Sequence, residues 1–490
     1  MNLMKSFMLG STAVLAVASA QAADLPSRKA APVEYVKVCD AYGAGFFYIP
    51  GSDVCLKVGG FVRSDYKYSA PGAIRQILAN GTVNPVVSQV AADQDTTGVE
   101  FRGRVDLDAR VNTAWGAAQT VVRLRGSNRD GIGSVGPTAN LVTNGAAYVP
   151  QASISSTLTM EAAYTRFAGF TFGLGSDLFT TMPSYMINIS GYPGFTNGVK
   201  QLSYTATFGG GWSASLGLEA RSDFTGSNGV AGFTYVSRPD TAYNLVGNVR
   251  LDQSWGFLQL SGAIGNNTFA TNNATAAGVV TNNILAANQL YSGASAKTGY
   301  AIGLGGRLNL PQLAAGDQIN ATISYAQGMY GEVSGCSNYT SCSDTGISRG
   351  LGGVLWYPSN YLLTSTTTVG GVVTNNYSAT KVLNTGAIFT HYWTPSLRSN
   401  FNFSYNQFTV PTIDPLTTAA GVNIGNATYY IAGANLIWSP AKNLDIGVEA
   451  DYIANKLKFQ TVVAGAPNTL VTANSNNSGW TGRLRIDRTF

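Results

Sequence analysis

Between Val99 and Val111 every second residue is apolar or small, and every residue between them is charged. Val99, Phe101, Gly103, Val105, Leu107, Ala109 and Val111 form one set, and Glu100, Arg102, Arg104, Asp106, Asp108 and Arg110 form the other. A period of two separates these sets only in a strand, whose successive side chains point to opposite faces; a helix would mix them. Six consecutive charged positions on one strand face are unusual for a small soluble sandwich. They suit a wall with an apolar medium on one side and water on the other.

The pattern recurs along the chain. Leu56, Val58, Val62 and Tyr66 oppose Lys57, Arg63, Asp65 and Lys67; Val122 and Leu124 oppose Gln119, Arg123 and Arg125; Leu484 and Ile486 oppose Arg483, Arg485 and Asp487. The strand candidates lie near 56–68, 99–111, 117–126, 159–168, 170–176, 199–208, 211–221, 243–252, 254–265, 299–309, 318–327, 383–393, 397–407, 427–438, 443–454 and 479–490, sixteen in all. Gaps between them alternate long and short, as outer-membrane barrels alternate extracellular loops with periplasmic turns. Segments 159–176 and 383–393 alternate poorly, and a hairpin around Leu351 to Leu363 would raise the count to eighteen. Asn266-Asn267 and Asn474 to Asn477 read as extracellular loops, and Gly303-Leu304-Gly305-Gly306 as strand with curvature.

Composition agrees. Charged residues are 11% of the 490 and hydrophobic ones 45%, with 57 Gly and 25 Tyr. A soluble chain carries about 25% charge, while a mean hydropathy of +0.05 is too low for a bundle of membrane helices. Residues 1–22 carry Lys5, an apolar run from Phe7 to Ala18 and Ala20-Gln21-Ala22, the pattern of a cleaved signal peptide. Export leaves a closed barrel as the way to satisfy every backbone group in lipid without a long apolar helix. Residues 23–55 read as a periplasmic lead-in and 56–490 as the barrel.

The four cysteines, Cys39, Cys55, Cys336 and Cys342, allow three connectivities. Closeness in sequence favours the disulfides Cys39–Cys55 and Cys336–Cys342 in an oxidising compartment. Metal ligation is disfavoured by the spacing and by the single histidine, so no metal and no cofactor are expected. That histidine, His391, is also the sole base available to a hydrolase, with Ser396 and Ser404 near it in sequence. Its neighbours Tyr392 and Trp393 point instead to an aromatic girdle at the membrane rim, and no enzyme is expected. The net charge of +5 is too small, and too scattered, to imply a nucleic-acid partner.

The stretch from Val38-Cys39-Asp40-Ala41-Tyr42-Gly43 through Val58-Gly59-Gly60-Phe61-Val62-Arg63 resembles the general porins of alphaproteobacteria, as do Val99 to Arg104, Arg166 to Phe170, His391 to Pro395 and the terminal Phe490. The resemblance implies a sixteen-stranded antiparallel transmembrane β-barrel in the bacterial outer membrane, in contact with lipid and lipopolysaccharide and assembled as a homotrimer. It implies passive diffusion of small hydrophilic molecules and ions; a substrate-specific channel is the alternative. It also implies that Phe490 is read by the barrel-insertion machinery, and that one long loop folds inward. Following the fifth strand, that loop is 177–198, with Asp177, Phe179, Tyr185 and Tyr192. The expected pore lining is Arg63, Asp65, Arg102, Arg104, Asp106, Asp108, Arg110, Arg123, Arg125, Arg483 and Arg485.

Overall fold

The computed structural model describes residues 37–69, 97–131, 155–181, 198–220, 243–268, 296–329, 331–334, 361–369, 372–416, 421–463, 465 and 467–490. The signal peptide, Cys336, Cys342, Tyr185 and Tyr192 lie outside them.

Two compact units divide the chain, Met1–Cys55 and Leu56–Phe490. In the first, Cys39 and Cys55 form a disulfide with Cα atoms 5.9 Å apart. Both cysteines are buried with Phe46, and Tyr42 and Tyr48 pack against them. The short strand β1 (Phe47–Tyr48) is held by the Tyr48 N–H, which donates to the Lys37 carbonyl at 2.9 Å.

Sixteen strands build the second unit: β2 (Cys55–Ser69), β3 (Thr97–Thr113), β4 (Gly116–Gly131), β5 (Ser155–Phe167), β6 (Phe170–Gly175), β7 (Val199–Gly209), β8 (Trp212–Ala220), β9 (Tyr243–Gln253), β10 (Gly256–Thr268), β11 (Ala296–Asn309), β12 (Gln318–Gln327), β15 (Lys381–Thr394), β16 (Leu397–Thr409), β17 (Gly421–Ala441), β18 (Leu444–Val463) and β19 (Thr469–Thr489). Each pairs with its neighbours in chain order, and β19 pairs antiparallel with β2 from Thr481↔Ser69 to Thr489↔Phe61. The wall therefore closes into a ring and leaves no open edge for lipid to meet. Reciprocal backbone bonds between Gly60 and Phe490, at 3.2 and 3.1 Å, extend that seam.

β13 (Tyr361–Val369) and β14 (Val372–Ala379) form a separate two-stranded sheet. A hairpin is thus present in the long connection after β12, overlapping the expected one at Tyr361 to Leu363, and it adds nothing to the barrel count. Two loop assignments are corrected. Asn266 and Asn267 lie in β10, and Asn474 to Asn477 in β19. β17, β18 and β19 run for 21, 20 and 21 residues, about twice the 9–11 that a membrane crossing needs. Asn and Ser belong to the part beyond the bilayer, where composition resembles a loop.

The outer face is apolar. Val62, Phe101, Val105, Leu245, Leu260, Ile302, Phe403 and Trp480 are all exposed there. His391 stands in this layer, its ring stacked on Phe389 at 6.1 Å and edge-on to Trp393 at 4.4 Å, with Nδ1 2.6 Å from the Asp317 carboxylate. Ser404 has the opposite parity on the next strand and is buried on the inner side. The histidine and that serine are divided by the wall.

Candidate functional site: the barrel interior

On the inner face of β2–β5 and β19, ten cations share six carboxylates among the described residues. Glu100 is the hub: it bonds Lys67 and Arg102, and Arg129 at 2.8 Å. Asp65 accepts two bonds from Arg485, at 2.6 and 2.8 Å, and lies 3.5 Å from Arg483. Arg63 pairs with Asp487 at 2.6 Å across the closing seam. Asp106 is bracketed by Arg104 and Arg123, Arg110 forks onto Asp108, and Glu161 takes Arg125 at 2.6 Å with Arg104 at 3.6 Å. The strand period produces this cluster, because inward residues of adjacent strands sit side by side and long charged side chains bridge them. Phe61 adds a ring beneath the guanidinium groups of Arg63 and Arg104, 4.5 and 4.6 Å away.

Every one of the eleven expected lining residues belongs to this charged wall. Lys67, Arg129 and Glu161 join them. Arg129 falls beyond the expected end of its strand. Glu161 is hidden in the sequence because the β4–β5 register shifts between Arg123 and Leu124, which breaks the alternation of β5.

The opposite wall is rich in amides and hydroxyls, with the carboxylates Glu449 and Asp451 buried among them. β15, β16, β17 and β18 carry a chain of amide and hydroxyl bonds: Thr390 donates to Asn400 at 2.6 Å, Asn400 to Asn435 at 2.9 Å, and Asn435 to Glu449 at 2.9 Å. β11 presents Gly299, Ala301, Gly303 and Gly305 inward, because side chains of equal parity share a face.

The chain leaving β6 crosses the interior of this second wall. The Ser176 carbonyl accepts from Gln201 Nε2 at 2.6 Å, the Leu178 N–H donates to Glu219 at 2.7 Å, and the Leu178 carbonyl accepts from Asn248 at 2.6 Å and Gln259 at 3.3 Å. Thr181 then reaches Thr322 on β12 at 3.2 Å. Asp177 caps its own turn, accepting from the Thr180 N–H at 2.7 Å. Phe179 is buried among inward residues that include Val246, Ala263 and Ala301. A Cβ at Gly303 would come within 3.0 Å of the Phe179 ring, and one at Gly305 would overlap Thr181. The glycines of β11 thus serve close approach of another segment, beyond the curvature their sequence suggests.

The chain is similar to known proteins. The porin Omp2b of Brucella melitensis biotype 1 is 33% identical over 260 residues, 51% of this chain and 63% of the relative. The Omp2b porin of Brucella suis biovar 1 is 32% identical over 262 residues with the same coverage. The aligned part is thus less than two thirds of either relative's length. The outer membrane channel DcaP of Acinetobacter baumannii has a similar fold, with a TM-score of 0.50 at 15% identity, covering 90% of this chain and 99% of that one. Residues 24–482 match a family model described as the Porin subfamily, and the chain belongs to that family.

Proposed function

We propose that the barrel is a water-filled pore of the outer membrane, through which small hydrophilic molecules and ions diffuse passively. The observation that carries this reading is the division of the wall: paired charges and amides inside, large apolar side chains outside. Sixteen strands enclose more space than their own side chains fill, so polar inner residues meet water. The lining comprises Arg63, Asp65, Arg102, Arg104, Asp106, Asp108, Arg110, Arg123, Arg125, Arg483 and Arg485, with Lys67, Arg129 and Glu161. Residues 177–198 narrow the passage. The docking of Ser176–Thr181 on inward residues of β7–β12 supports that assignment.

Ten cations against six carboxylates leave the charged wall positive. Asp177 lies at the start of the inward segment and accepts the Thr180 N–H within its own turn. A wall of one net sign favours counter-ions, so the pore passes anions mildly better than cations, more so at low salt where screening weakens. Copies of the barrel assemble as a homotrimer. The test is the reversal potential of the purified protein in a KCl gradient across a planar bilayer, together with swelling of protein-loaded liposomes in neutral sugars. A reversal potential on the anion side and sugar entry support the pore; cation preference overturns the charge argument, and impermeability to small sugars overturns free diffusion.

A further inference from the structure

A second stretch of chain enters the same wall. After β12, the Gly328 N–H donates to the Thr380 carbonyl at 2.9 Å, and a single helical turn follows at Gly331–Ser334. Glu332 in that turn is buried and accepts from Asn244 Nδ2, on the inner face of β9, at 2.9 Å. Met329 and Val333 are buried in the cluster that holds Phe179 and Val246. Val246 stands between Asn244 and Asn248 on β9 and has no solvent exposure. Three successive inward positions of one strand therefore serve two segments: Asn248 binds the Leu178 carbonyl, Asn244 binds Glu332, and Val246 lies in the apolar cluster common to both.

β11 repeats the arrangement in steric form. A Cβ at Gly299 would lie 2.6 Å from Met329 Cγ and 2.7 Å from the Gly328 carbonyl carbon, just as one at Gly303 would press on Phe179. Neither glycine has a positive φ, so the backbone there accepts any side chain and the space above it is what requires glycine. Apolar Met329 and Val333 facing a water-filled lumen would be costly. Buried in the cluster that also holds Phe179, they are dry.

We propose that Gly328, Met329 and the helical turn Gly331–Ser334 are a second constriction element, seated beside the first on β9 and β11, so that the aperture is set jointly by two segments from different loops. Asn244, Gly299 and Glu332 are its positioning residues. The proposal rests on the diffusion-pore reading, and its test separates the two. Gly299→Leu and Asn244→Leu add no charge; each should admit larger polyethylene glycols into the pore and raise single-channel conductance, with the reversal potential unchanged. Gly303→Leu should act likewise through the first segment. Asn244→Leu combined with Glu332→Met should exceed neither single change by much, because each change removes the same Asn244–Glu332 bond. Conductance and size cut-off equal to wild type in a heat-modifiable Gly299→Leu or Asn244→Leu barrel would overturn the proposal. Docking itself is read without transport: a Val333→Cys thiol should resist a water-soluble maleimide in the otherwise native barrel and react quickly once Gly299→Leu is added. Prompt labelling in both would overturn it even if no variant conducts, whereas a protected thiol in a protein that fails to conduct would defeat the pore reading alone.

Discussion

Gly60 sits where two seams cross. It exchanges both backbone bonds with Phe490, and a Cβ on it would overlap the Arg104 carbonyl and approach the Phe490 ring at 2.9 Å. Gly60→Val should therefore lower the yield of heat-modifiable barrel on gels run without boiling, and deletion of Phe490, which removes the partner, should do the same. Wild-type yields for both would contradict the importance of the contact. The disulfide acts at the same scale in the other unit. Cys39 and Cys55 are 16 residues apart, a loop whose closure stabilises by about 3 kcal/mol in the chain-entropy model. Non-reducing peptide mapping should recover the Cys39–Cys55 peptide pair, and free thiols at both positions would contradict it. Both cysteines are legible as a pair from their closeness. What the sequence does not disclose is Gly60: a Gly-Gly step reads as ordinary strand until Phe490 is brought beside it.

Strands show where periodicity can be read and where it fails. β3 alternates cleanly because one face meets lipid and the other meets a charged wall, so its phase is visible in the residues alone. Val105→Arg, on the exposed outer side, should cost about 2–4 kcal/mol near the midplane. Asp106→Asn should fold normally, release its two arginine partners and move the reversal potential further toward anions. The opposite order of folding yields, measured by urea titration of the reconstituted protein, would show the phase inverted. β15 is harder to read. Its inner positions include Val382 and Ile388 alongside Asn384 and Thr390, and its outer ones include Thr385 beside Leu383 and Phe389. Val382 joins the apolar cluster that holds Phe179, so the polar half of the alternation is lost where the interior is packed. A strand's pattern reports its two environments, and here one of them is made by distant segments. The lengths of β17, β18 and β19 were hidden for a related reason, since beyond the bilayer neither face has to be apolar.

At the scale of the molecule, the interior has two halves with different chemistry. β19 and β2–β5 carry the ion-pair wall; β8–β12 carry glycine, amide and apolar positions on which inward segments rest. The strand count, the closing pair and most of the charged wall were readable from spacing and parity. The docking surface was not, because Asn244, Val246, Gly299 and Gly303 are unremarkable as residue types and gain meaning only from what lies over them. In the proposed pore, solutes pass beside the charged half, and the balance of ten cations and six carboxylates there bears on the proposed selectivity. The most direct test is single-channel recording of the purified, heat-modifiable protein in planar bilayers. Discrete, long-lived conductance steps that are ohmic and scale with KCl concentration are predicted. Folded protein that inserts into the bilayer yet produces no steps would contradict a water-filled pore.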